Sequence, residues 1–104
     1  MSFRSVGRSR AMQDVMEAAF KDLPIVFTVA SGNDNRDACQ MSPAFVPIAI
    51  TVGNIDDKNN ENPSSNYGSC VDILAPGTQI LSSWGRDNFY KRESGTSMSA
   101  PFVA

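Results

Sequence analysis

Gly95-Thr96-Ser97-Met98-Ser99-Ala100-Pro101 sets a serine between a glycine and the opening of a helix. A glycine there lets another part of the chain approach closely. A serine in the first helical turn lies among backbone N–H groups that have no partner inside the helix and can hold an anion. Those are the surroundings of a nucleophile, although serine is also a common helix cap, and Gly-Thr-Ser taken alone reads more simply as one. Upstream, Ile25-Val26-Phe27-Thr28-Val29-Ala30 is an apolar, β-branched run suited to a strand buried on both faces. It leads into Ser31-Gly32-Asn33-Asp34-Asn35, which on turn chemistry alone is a Gly-Asn turn.

The longer strings separate these alternatives. From Gly95 to Ala104 the chain resembles the active-site serine segment of the subtilisin-like serine proteases, the subtilases, and Ile25 to Asn33 is similar to the strand that ends at that family's oxyanion asparagine. The resemblance implies Ser97 as nucleophile and Asn33 as a donor to the oxyanion. Acyl transfer builds negative charge on one oxygen, which a fixed side-chain amide and the Ser97 N–H would stabilise. In subtilisin itself, where the magnitude is established, loss of one such donor costs about 3 to 4 kcal/mol. Cleft walls are implied at Ser2, Phe3, Arg4 and at Ala30, Ser31, Gly32, with extended backbone on both sides pairing with a peptide like added strands. Arg4 stands where the family usually has glycine, and Phe102 where it commonly has a histidine that is not the catalytic one.

The chain contains no histidine, so no imidazole in it can take the proton from Ser97. The Asp-[Ser/Thr]-Gly and His-Gly-Thr segments of the family are also missing. In subtilisin, loss of the base alone removes roughly 10⁶ in turnover, so the chain alone is expected to be inactive. Met1-Ser2-Phe3 resembles a strand end in the family's interior, and Pro101-Phe102-Val103-Ala104 lies in the first turns of the nucleophile helix. Residues 1–104 are therefore expected to be a partial peptidase domain, from the C-terminal half and truncated at both ends. The parent is expected to be a serine endopeptidase acting on peptide or protein substrates. The alternative is a catalytically dead subtilase-like binding module whose parent also lacks the histidine.

Composition agrees with a soluble globular class, being 41% apolar and 19% charged. A net charge of −2 offers no electrostatic case for nucleic acid or an anionic membrane, and no apolar run approaches spanning length. Arg4, Arg8 and Arg10 faintly imitate a transit peptide, but Asp14 and Glu17 interrupt it and no apolar signal core is present.

Met12, Val15, Met16, Ala19 and Leu23 recur at helical spacing, and Pro24 stops that helix. Further strands are expected at Ile48–Val52, Val71–Gly77 and Gln79–Trp84, with a hairpin turn at Gly85-Arg86-Asp87-Asn88. Asp56 to Asn66 reads as a solvated loop. Alternating helix and strand favour an α/β domain with parallel strands. The family implies a doubly wound, mostly parallel sheet with flanking helices, of which only part can form here. An exposed sheet edge and an uncovered apolar face predict poor solubility.

Two cysteines allow one intramolecular bridge, Cys39 to Cys70. The resemblance implies that bridge, and with it an oxidising, extracellular or secretory location; two buried thiols are the alternative. It implies no cofactor for catalysis, and a structural calcium held by Pro47, Ala49 and Asp72. Asp72 by residue type alone is equally a surface carboxylate.

Overall fold

Pro24 ends one helix and prepares one sheet. The computed structural model describes residues 1–85 and 89–104; Arg86, Asp87 and Asn88 of the expected hairpin turn lie outside the described residues. In chain order the elements are β1 (Ser5–Val6), α1 (Arg10–Asp22), β2 (Phe27–Ala30), a 3-10 turn (Ala38–Gln40), β3 (Met41–Ser42), β4 (Ala49–Ile55), β5 (Ile73–Pro76), β6 (Ile80–Trp84), β7 (Phe89–Glu93) and α2 (Thr96–Val103). Ser9 opens α1 by accepting the Met12 N–H at 3.3 Å, the usual work of a serine cap. At the other end Leu23, ahead of Pro24, is extended with ψ 147°, because the proline ring excludes a helical conformation before it.

β2, β4 and β5 form a parallel sheet in the order β2-β4-β5, with Ala30 opposite Val52 and Val52 opposite Ile73. Side chains alternate across a strand, so neighbouring residues of β2 serve opposite faces. Val29 packs with Met16 of α1, Val46 and Ala49. Ala30 packs with Val52, Ala75 and Ala100 of α2. Helices thus cover both faces, which is the doubly wound α/β arrangement. Two antiparallel pairs, β1 with β3 and β6 with β7, flank it. Among the described residues no helix is long and apolar enough to cross a membrane.

The expected apolar face of α1 is narrower than its sequence pattern. Met16 is buried, but Val15 is 69% and Leu23 56% exposed, since the small sheet meets only one stripe of the helix. Likewise the strand expected from Ile25 begins at Phe27, because the Ile25 N–H is taken by Leu23 O at 2.8 Å in the turn around Pro24. At the free edge of β2, the Met1 ammonium donates to Thr28 O, and Ala30 N–H donates to Met1 O at 3.0 Å. That is the bonding pattern of a parallel partner.

Met16→Ala is expected to cost about 2–4 kcal/mol in urea unfolding, as a buried side chain that leaves a cavity. Val15→Ala, one residue away on the exposed side, is expected to stay within about 0.5 kcal/mol.

Candidate functional site

The site is built where α2 starts. Gly95 precedes the helix, and its N–H donates to Gly77 O at 2.8 Å. A Cβ on Gly95 would stand 3.3 Å from Asn33 Nδ2, so only glycine lets the two segments meet without displacement. Asn33 Oδ1 accepts both the Thr96 N–H at 2.8 Å and the Thr96 hydroxyl at 3.1 Å. Thr96 Oγ1 in turn accepts the Gly32 N–H at 3.1 Å. Thr96 is fully buried, and it joins the end of the β2 segment to the first turn of the helix from both sides.

This arrangement settles the direction of one amide. An asparagine whose oxygen faces two donors must turn its NH₂ the other way, here toward Gly95. Ser97 is the second residue of α2, half-buried, and its N–H has no acceptor among the described residues. The Ser97 N–H and hydroxyl follow two residues after Gly95, on the helix that Asn33 seats. Ser97 is not the cap; Gly95 holds that position and makes no side-chain bond.

The hydroxyl itself is at rest. Ser97 Oγ donates to Ser2 O at 3.1 Å, and Ser2 Oγ donates back to Ser97 O at 2.9 Å. With no histidine in the chain, no imidazole in it reaches that hydroxyl as a base.

Asn66 holds the Asn33 loop, and nothing in the pattern of the sequence marked it for that role. It is fully buried. Its Oδ1 accepts the N–H groups of Asp34 (2.9 Å) and Arg36 (3.0 Å), and its Nδ2 donates to Ser31 O (2.9 Å). Its own N–H donates to Gly32 O at 2.9 Å. Gly32 adopts φ +106°, and a Cβ there would fall 2.3 Å from Asn66 Nδ2; no other residue fits. The Cys39–Cys70 bridge, closing a separation of 31 residues, ties the 3-10 turn that follows the loop to the chain just after Asn66. A bridge of that span contributes about 3–4 kcal/mol on loop-closure grounds.

The two expected cleft walls differ. Phe3 and Arg4 keep their backbone groups out of the hydrogen-bond network among the described residues, so that segment can pair with an extended peptide. In Ala30-Ser31-Gly32 the N–H groups go to Met1 O, Val52 O and Thr96 Oγ1, and the Ser31 and Gly32 carbonyls go to Asn66. That segment differs from the expected strand pairing on both sides in that five of its six backbone groups are engaged within the chain. Arg4 spans the gap between the walls. Its guanidinium meets Asp34 at 2.6 Å, and its Cδ lies 3.6 Å from where a Gly32 Cβ would be.

Pro47, Ala49 and Asp72 border one cavity of about 250 Å³. Asp72 Oδ2 accepts the Thr51 N–H at 2.7 Å, which leaves its Oδ1, a hard oxygen donor of the kind calcium takes. Among the described residues no group of three His, Cys, Asp or Glu side chains converges. Asp56 serves its own loop: the Asn60 backbone N–H, then the Asn60 side chain, hold its carboxyl below the usual range.

Asn66→Ala is expected to destabilise the chain by on the order of 3–5 kcal/mol, since it strands three polar groups at once. Hydrogen exchange at the Asp34 and Arg36 amides, read alongside urea unfolding, checks it; both amides should lose protection first.

A family model described as "Subtilase family" matches residues 2–104. Alkaline serine exoprotease A of Vibrio alginolyticus is 45% identical over 98 residues, covering 94% of this chain and 18% of that protein. Subtilisin-like serine protease Pen ch 18 of Penicillium rubens is 48% identical over 99 residues, covering 94% of this chain and 20% of that one. A solved structure, the crystal structure of a cold adapted subtilisin-like serine proteinase, superposes with a TM-score of 0.92 at 45% identity, covering 99% of this chain and 37% of that one. The chain therefore spans about a fifth of the length of these two curated relatives.

Proposed function

The chain belongs to the subtilase family, and from that premise we propose that it contributes the nucleophile and the oxyanion donors of a serine endopeptidase. Residues 1–104 would act as part of one peptidase catalytic domain in a longer protein whose other residues supply the histidine base and the aspartate. Ser97 would attack the peptide carbonyl, its proton passing to that histidine. Asn33 Nδ2 and the Ser97 N–H would hold the oxyanion of the tetrahedral intermediate. The same proton, returned to the leaving amine, would release the first product, and water would then hydrolyse the acyl-enzyme.

The observation that carries this function is the double acceptance of Thr96 by Asn33 Oδ1. It leaves the amide NH₂ turned toward Gly95, two residues before a hydroxyl and a free helix N–H, and a plain capping serine needs none of these. The substrate would be an extended peptide lying along Phe3 and Arg4, with its side chain directed toward the Arg4–Asp34 pair. By itself the chain would not hydrolyse peptides. The Cys39–Cys70 bridge supports residence in an oxidising, extracellular or secretory compartment.

The second reading is a catalytically dead binding module, whose full-length protein would lack the histidine as this chain does. A fluorophosphonate probe on the full-length protein separates the two: labelling at Ser97 supports the enzyme, and an unlabelled protein supports the module. In the active protein, Ser97→Ala is expected to abolish labelling and turnover. Asn33→Ala is expected to lower kcat by about 10²–10³, with KM little changed.

Calcium bound at Pro47, Ala49 and Asp72 would brace the approach to β4. Added calcium is then expected to raise the thermal midpoint of the chain. Asp72→Asn, which can still accept the Thr51 N–H, is expected to remove the calcium-dependent part of that rise.

A further inference from the structure

Pro101 lies inside α2. A proline has no N–H, so the helix bond that residue 101 would make four residues back, to the carbonyl of Ser97, cannot form. The carbonyl left without its helical donor is thus that of the serine in the site. Ser2 Oγ fills the gap, donating to Ser97 O at 2.9 Å across 95 residues of sequence, while Ser97 Oγ donates to Ser2 O at 3.1 Å. Each serine gives its hydroxyl proton to the other's main chain. The closed pair fixes both the height of the Ser97 backbone and the resting direction of its hydroxyl.

With Ser97 acting as the nucleophile, as proposed above, we infer that the Ser2 hydroxyl is a positioning residue for it, acting through the Ser97 carbonyl that Pro101 leaves unbonded. Ser2 touches the nucleophile's main chain through its side chain. Its hydroxyl takes no proton from the reacting group and meets no part of the intermediate. Ser2 Oγ orients the peptide unit that follows Ser97, and its main-chain oxygen holds the hydroxyl proton until a base competes for it. A hydroxyl donor to a carbonyl is worth about fivefold in an equilibrium. Spent on the nucleophile's geometry, that appears in kcat and not in KM.

The test is a double-mutant cycle in the full-length protein, with Ser97 first titrated by a fluorophosphonate probe to count competent sites. Ser2→Ala is expected to lower kcat about fivefold with KM within twofold, and Ser2→Thr, which keeps a hydroxyl, to recover most of the loss. Pro101→Ala restores an N–H at residue 101 that can reach the Ser97 carbonyl. In that background the loss on Ser2→Ala is expected to shrink to less than twofold. An equal loss in both backgrounds would overturn the inference, as would a Ser2→Ala effect confined to KM or a failure of threonine to rescue. Both serve as exposed positions, and thermal midpoints within a few degrees of the parent would show that each variant folds. Absence of any labelling at Ser97 in the unsubstituted protein would instead remove the enzyme proposal itself.

Discussion

One side-chain oxygen keeps the two halves of the site together. Asn33 Oδ1 accepts the first N–H of α2 and the hydroxyl of the same residue, Thr96. Helix starts normally satisfy their open N–H groups from the preceding few residues. Here the partner comes from 63 residues upstream, so the helix begins where the β2 segment ends and nowhere else. Local capping would have let α2 form without regard to the sheet. The distant cap makes helix start, strand end and donor geometry a single condition.

The supports of Asn33 follow from that condition. A loop whose asparagine must meet Thr96 in one orientation is not held by apolar packing alone, because packing does not fix direction. Asn66 supplies direction with three side-chain bonds into residues 31–36, and the Cys39–Cys70 bridge limits how far the flanking chain can move. The sheet carries the load from below. Val29 and Ala30, adjacent in sequence, are each almost entirely buried against different helices, so β2 cannot slide by one residue without exchanging both cores.

Much of this was legible in the sequence, and unevenly so. The resemblance of Gly95–Ala104 and of Ile25–Asn33 to family segments pointed to Ser97 and Asn33, and the residues themselves showed why those types suit acyl transfer. The α1 pattern located the helix but overstated its buried face, because periodicity reports which residues are apolar and not how wide the neighbouring sheet is; Val15 and Leu23 show the difference. Asn66 and Thr96 went unmarked for another reason. Each acts through hydrogen bonds to residues distant in sequence, and a polar residue fully enclosed by its partners has the same letter as one in a solvated turn. Pro101 was visible throughout, but the carbonyl it leaves open acquires meaning only when Ser2 stands opposite.

Asn33 divides its amide between two directions, the oxygen turned inward to seat the helix and the nitrogen turned toward Gly95. The two cannot be altered separately, since they share one planar group and one rotation axis. An aspartate in its place would have the same outline and could still seat the helix, yet it would set a negatively charged acceptor where two N–H donors now stand. Shape would survive while the electrostatic sign reversed, so at this position a molecule could be whole by every measure of folding and still present the opposite charge to whatever approaches it.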